Sequence, residues 1–143
     1  MSERRGGEDS PPWCEAPRRA VYFDVDGTLR ACCAARSAIG SVHEPHRRSL
    51  DEIWSGEEAR RLRAAVAIGD LSLGCDECGV TAEALGRQAT LAQHFDRWTG
   101  VADGPPVDLE FALSNTCNLR CVMCNGFLSS SIRAQREHLP PLP

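Results

Sequence analysis

Val21-Tyr22-Phe23-Asp24-Val25-Asp26-Gly27-Thr28-Leu29-Arg30-Ala31-Cys32-Cys33 holds two patterns that point to different chemistry. Val21, Tyr22, Phe23 and Val25 are β-prone and apolar, so the run from Ala20 reads as a strand. Asp26-Gly27 is a hairpin corner, because glycine takes the left-handed backbone that such a turn requires, and Thr28-Leu29 reads as the return strand. The acids at 24 and 26 are then either turn formers or a reactive pair. The adjacent thiols at 32 and 33 point instead toward metal.

Composition narrows the choice. The chain has 143 residues and a formal net charge of -4, which gives no basic field to hold a nucleic acid or an anionic membrane. No apolar run approaches the ~20 residues of a membrane span, and the polar start MSERRGGEDSPP lacks the apolar core of a signal peptide. A cytoplasmic protein is expected, with no nucleic-acid or membrane partner. Eight cysteines in a reducing compartment read as metal ligands rather than disulfides. None of the four histidines, His43, His46, His94 and His138, sits at zinc-finger spacing from a cysteine pair.

Along the chain, residues 1–12 read as a disordered tail. Ser49-Leu-Asp-Glu52 is a capping box that starts a short helix bearing Leu50, Ile53 and Trp54. Ser55-Gly-Glu-Glu58 repeats the pattern and predicts a second helix with Leu62, Ala65 and Val66 inward and Gly69 as its stop. Another amphipathic helix is expected within Thr81–Trp98, from the spacing of Leu85, Leu91, Phe95 and Trp98. Asp103-Gly-Pro-Pro106 breaks the chain at an expected module boundary. Beyond it Val107, Leu109, Phe111 and Leu113 alternate with other residues as in a strand, and a helix is expected within Phe127–Glu137.

Ser114-Asn-Thr-Cys117-Asn-Leu-Arg-Cys121-Val-Met-Cys124 follows that strand directly. Three thiolates at C-x3-C-x2-C spacing can hold three corners of a 4Fe-4S cube and leave one iron open. Here the chain resembles the radical S-adenosylmethionine (radical SAM) superfamily. The resemblance implies that Cys117, Cys121 and Cys124 ligate the cluster and that its open iron chelates S-adenosyl-L-methionine for reductive cleavage. Met123 stands where that family often has an aromatic residue beside the adenine, and its thioether can pack on the purine. Part of a zinc site is the alternative for three such cysteines.

The remaining cysteines form C-x12-G-x4-C…C-x2-C, from Cys14 through Gly27 and Cys32 to Cys75 and Cys78. With Cys14-Glu-Ala-Pro17, Ile39-Gly40-Ser-Val42 and Ser49-Leu-Asp-Glu-Ile-Trp54, this pattern resembles the SPASM and twitch modules of radical SAM enzymes. The resemblance implies an auxiliary 4Fe-4S cluster on Cys14, Cys32, Cys75 and Cys78. Neighbouring side chains on an extended chain face opposite ways, so Cys33 is expected to point away, with exchange of Cys32 and Cys33 as the alternative. Cys75-x-x-Cys78 alone reads equally as a zinc or redox pair.

Asp24-Val-Asp26-Gly-Thr-Leu29 also resembles the nucleophile motif of haloacid-dehalogenase-like phosphatases. That chemistry needs a lysine for phosphate charge, and all 16 basic residues are arginine; the acids are therefore expected to serve the turn. Ser129-Ser-Ser131 suits either cofactor contact or helix capping. Trp54, Phe95 and Trp98 read as core, and His43 and His46 as solvated.

The expected fold class is α+β: a SPASM/twitch-like module at 13–80, a helical connector at 81–106, and the start of a radical SAM barrel at 107–143. The resemblance implies further barrel strands with no room after Pro143, so a fragment, truncated product or half of a split enzyme is expected, with little or no turnover alone. Expected partners are the missing barrel portion on another chain and an electron donor such as a flavodoxin or ferredoxin. A non-catalytic zinc or iron-sulfur scaffold or electron carrier is the rival reading.

Overall fold

Glu15 and Pro17 open the described structure with a single helical turn, α1 (Ala16–Arg19), in which Pro17 sits at the helix start where its missing N–H costs nothing. The structure is a computed structural model and describes residues 12–142; the tail expected at 1–12 lies almost wholly outside the described residues. From α1 the chain passes into β1 (Ala20–Phe23), turns, and returns as β2 (Thr28–Arg30), antiparallel with Tyr22 opposite Arg30 and Phe23 opposite Leu29. Gly27 has φ 79° at the corner, as the Asp-Gly signal requires. A two-residue strand, β3 (Gly40–Ser41), then pairs with β2. Nothing in the alternation of so short a segment announces it.

The fourth strand, β4 (Asp108–Phe111), pairs in parallel with β1, with Tyr22 opposite Glu110 and Phe23 opposite Phe111. The sheet order is β3-β2-β1-β4. The strand that follows the 103–106 break is thus bonded into the sheet of the preceding segment. Phe23 and Phe111 stack at 4.5 Å, yet Val107, Leu109, Phe111 and Leu113 all remain exposed.

Two helices cover the β1–β2–β3 face. In α2 (Leu50–Trp54) the Ser49 hydroxyl accepts from the Glu52 N–H while the Glu52 carboxylate accepts from the Ser49 N–H, completing the capping box. In α3 (Glu57–Ala67) Leu62, Ala65 and Val66 face inward as expected. Its start differs from expectation. Gly56, not Ser55, is the N-cap and makes no side-chain cap, because the Ser55 hydroxyl donates back to the Asp51 carbonyl at 2.7 Å and closes α2. Gly69 ends the helix at φ 80°. Val21, Leu29, Ile39, Ile53, Leu62 and Val66 form the main core between helices and sheet.

The helix expected over Thr81–Trp98 is broken. Instead α4 runs Asp76–Leu85, and the chain continues as 3-10 segments Arg87–Ala89 and Leu91–Trp98. Gly86 at φ 87° stops α4 and Thr90 is extended, so the spacing of Leu85 and Leu91 does not belong to one helix face. Phe95 is buried against Ala16 and Ala20, whereas Leu85 is exposed. The last helix, α5 (Ser130–Gln135), is shorter than 127–137 because the Asn125 carboxamide accepts the Phe127 and Leu128 N–H groups in a turn, leaving Ser129 as cap. The result is a mixed α+β chain with one four-stranded sheet. No helix among the described residues is long and apolar enough to cross a membrane.

Candidate metal centre

Cys14 precedes α1, and its sulfur accepts the Ala16 N–H at 3.4 Å. Cys32 follows β2, where the Ala35 N–H donates to its carbonyl at 3.1 Å. Cys75 is the N-cap of α4, and Cys78 lies in that helix's first turn. These four thiols, from three distant segments, line one apolar cavity of about 20 Å³, walled by Trp13, Leu91 and Phe95 among others. That volume is about one water. The sulfurs share a cavity without converging on a point, and among the described residues no three His, Cys, Asp or Glu side chains are already gathered as a metal site. All eight cysteines are free thiols.

Burial governs the protonation of Cys14, Cys32 and Cys75. It pushes the Cys14 thiol up to about 12, against the opposing pull of the Ala16 N–H and the Arg87 guanidinium. Cys32 is pushed to about 12 by the same desolvation, and Cys75 is raised by burial and then by Cys78. Thiols so placed pack as small hydrophobes until a cation compensates their charge. Four soft sulfur donors in a dry cavity suit an iron-sulfur or zinc centre in kind and number; a cube would require the walls to part.

Two devices hold the loops that carry these thiols. The Arg36 N–H donates to the Gly74 carbonyl at 2.9 Å, joining the segment after Cys32 to the turn before Cys75. Gly74 has φ 89°, and a Cβ there would stand 2.5 Å from the Ser37 nitrogen, so the loops cross where only glycine fits. On the other side, Arg87 donates to the Trp13 carbonyl at 2.9 Å and pairs with Asp96, which ties the 3-10 segments to the residue before Cys14. Neither device was read from the sequence. A glycine just before Cys75 was the available sign of the first; Arg87 offered none.

Cys33 is exposed and opens onto a different cleft, beside Tyr22, His94 and Glu110. Cys32 borders both spaces, whereas Cys33 lines this cleft and not the four-thiol cavity. Asp24 and Asp26 serve the hairpin: Asp24 accepts from the Val25 N–H and pairs with Arg30 at 3.1 Å, and Asp26 accepts from the Thr28 N–H at 2.9 Å. Burial raises the Asp26 carboxyl, but hydrogen bonds from Thr28 outweigh it and hold the group below its usual value. Trp54 and Phe95 are buried, Trp98 is half-buried, and His43 and His46 are exposed.

The C-terminal cysteines lie on the loop between β4 and α5. The Cys117 N–H donates to the Ser130 hydroxyl at 3.1 Å, and the Ser131 N–H donates to the Cys117 carbonyl. Ser129, fully buried, caps α5 through the Ile132 N–H and donates to the Leu119 carbonyl at 2.8 Å. The three serines thus anchor the loop's backbone to the helix start. Cys124 N–H donates to the Cys121 carbonyl at 3.1 Å, and Arg136 donates to the Cys124 carbonyl. Cys121 is exposed, and Val122 and Met123 are 99% and 96% exposed at the loop's tip.

No curated protein and no solved structure matches the chain. Residues 14–79 match the model of the SPASM family, an iron-sulfur cluster-binding domain, over a stretch that begins at Cys14 and takes in Cys32, Cys75 and Cys78.

Proposed function

We propose that this chain is an iron-sulfur protein of the radical SAM type with two cluster sites. Cys14, Cys32, Cys75 and Cys78 hold an auxiliary 4Fe-4S cluster in the SPASM-like segment. Cys117, Cys121 and Cys124 hold a second one that leaves an iron for S-adenosyl-L-methionine. The observation that supports the reading best is that four thiols of the matched segment line one cavity, which Cys33 does not line. When bound, a cube with one open iron supplies the electron that cleaves S-adenosyl-L-methionine.

The chain's own residues prepare these sites differently. Each thiol must give up its proton to become a ligand, so binding releases protons and offsets the desolvation that raises Cys14, Cys32 and Cys75. Arg87, whose field already favours the Cys14 thiolate, offsets part of the charge four thiolates bring. In the C-terminal loop the serines fix the backbone while the tip stays open, where Met123 would pack against the adenine. A flavodoxin or ferredoxin would deliver electrons.

Anaerobic reconstitution of the full chain tests the reading. Two cubes give about eight irons and as many sulfides per chain, with visible charge-transfer absorption. A colourless protein holding stoichiometric zinc overturns it. In a Cys117→Ala variant about half the iron should be lost, together with any S-adenosyl-L-methionine binding.

A further inference from the structure

A cleft of about 430 Å³ lies between the β1–β4 face of the sheet and the 3-10 segment Leu91–Trp98. Its volume falls in the range of small-molecule sites, about 300–1,000 Å³. The register explains how it forms. Residues opposite one another on paired strands point to the same face, so Ala20 pairs with Asp108, and Tyr22 with Glu110, on the cleft side. The small side chains of Ala20 and Ala31 leave the depth empty, and Leu91 and Phe95 supply an apolar wall.

The formally charged residues that line this cleft, beside His94, are both acidic. None of the arginines lines it, and its only formally charged residues are Asp108 and Glu110. Asp108 is neutralised by Arg97 at 2.6 Å. Glu110 enters no ion pair among the described residues, and it lies opposite Tyr22 on the paired strand. That phenol is raised first by burial and then by Asp24 and Glu110, in keeping with a negative local field. A free carboxylate at the mouth of an apolar slot matches a cation carried on an apolar body.

We propose that this cleft binds an organic ammonium or guanidinium ligand, with its charge against Glu110 and its apolar body against Leu91 and Phe95. The cleft shares Ala31, Cys32, Leu91 and Phe95 with the four-thiol cavity. A bound ligand therefore lies against a wall that includes Cys32. The cation preference rests on Glu110, which lines this cleft and not the four-thiol cavity.

The test is an amide NMR titration of the full chain with phenethylamine, and with 3-phenylpropionate as the anion of like shape. Saturable shifts at Tyr22, Leu91, Phe95 and Glu110 are expected with the amine and not with the anion. Glu110→Gln should weaken the amine about fivefold, the value of one exposed charge pair, and Leu91→Trp should abolish binding by filling the slot. Equal binding of the anion, shifts centred elsewhere, or an unchanged affinity in Glu110→Gln overturns the proposal. Iron measured on the same samples separates this outcome from failure of the iron-sulfur reading.

Discussion

The two groups of cysteines are positioned by different means. Cys14, Cys32 and Cys75 are partly buried and pack against the main core, and they come from segments that meet only through the tertiary fold. Cys117, Cys121 and Cys124 sit on one loop pinned by serine hydrogen bonds, with Cys121 exposed and Cys117 and Cys124 half-buried. The first arrangement exists only when the core does. The second needs little beyond a strand exit and a helix start, which is why its spacing is so readable.

Leu62→Ala should separate the two most strongly. Leu62 is buried in the cluster against which Cys14, Cys32 and Cys75 pack, and its truncation should cost roughly 2–5 kcal/mol, read by chemical denaturation. Iron bound by the N-terminal thiols should fall, measured in a background lacking the three C-terminal cysteines. Iron on the C-terminal loop should not. Equal losses at both sites would abolish the distinction.

A smaller effect is expected from Gly74→Ala, with Gly69→Ala as its matched control. Both glycines are left-handed, so each substitution carries about 1 kcal/mol of backbone strain. Around Gly69 there is open space, whereas at Gly74 the new Cβ meets Ser37. Gly74→Ala should therefore push the Cys32 and Cys75 loops apart and lower N-terminal iron retention beyond the control. Equal stability and iron content in the two variants would show that the crossing does not set the site.

The same division explains what the sequence made legible. The hairpin, the capping box of α2 and the inward face of α3 are encoded by residues a few positions apart, and local chemistry decides them. The 3-10 run after Gly86 has a helical spacing of apolar residues but no continuous helix, because one left-handed glycine resets the direction of the chain. The Gly74–Ser37 crossing, the Arg87 tie and the β3 pairing are contacts between distant segments, with no period to betray them. The cysteines and their spacing are plain in the sequence; that Cys14, Cys32, Cys75 and Cys78 line one cavity required the fold.

Ser129→Ala probes the opposite side of the comparison. It removes the α5 cap and the bond to the Leu119 carbonyl, a loss of about 1 kcal/mol. Hydrogen exchange should rise in α5 and the 115–125 loop, and the iron that the proposed reading places on that loop should become easier to chelate. Residues 14–79 should exchange as before. Faster exchange throughout the sheet would mean that the loop is coupled to the core through β4.

The smallest effect should come from Cys33→Ser, and its smallness is informative. Cys33 is exposed and faces the cleft, so replacing sulfur by oxygen should leave stability within about 0.5 kcal/mol and leave iron per chain unchanged. Cys32→Ser, one residue away, removes a thiol from the four-cysteine cavity and, on the proposed reading, should weaken iron binding there alone. The backbone is nearly common to both variants, so their difference isolates which way each thiol points. Loss of iron in Cys33→Ser with retention in Cys32→Ser would exchange their roles, because the segment after β2 would then have to turn over when metal binds.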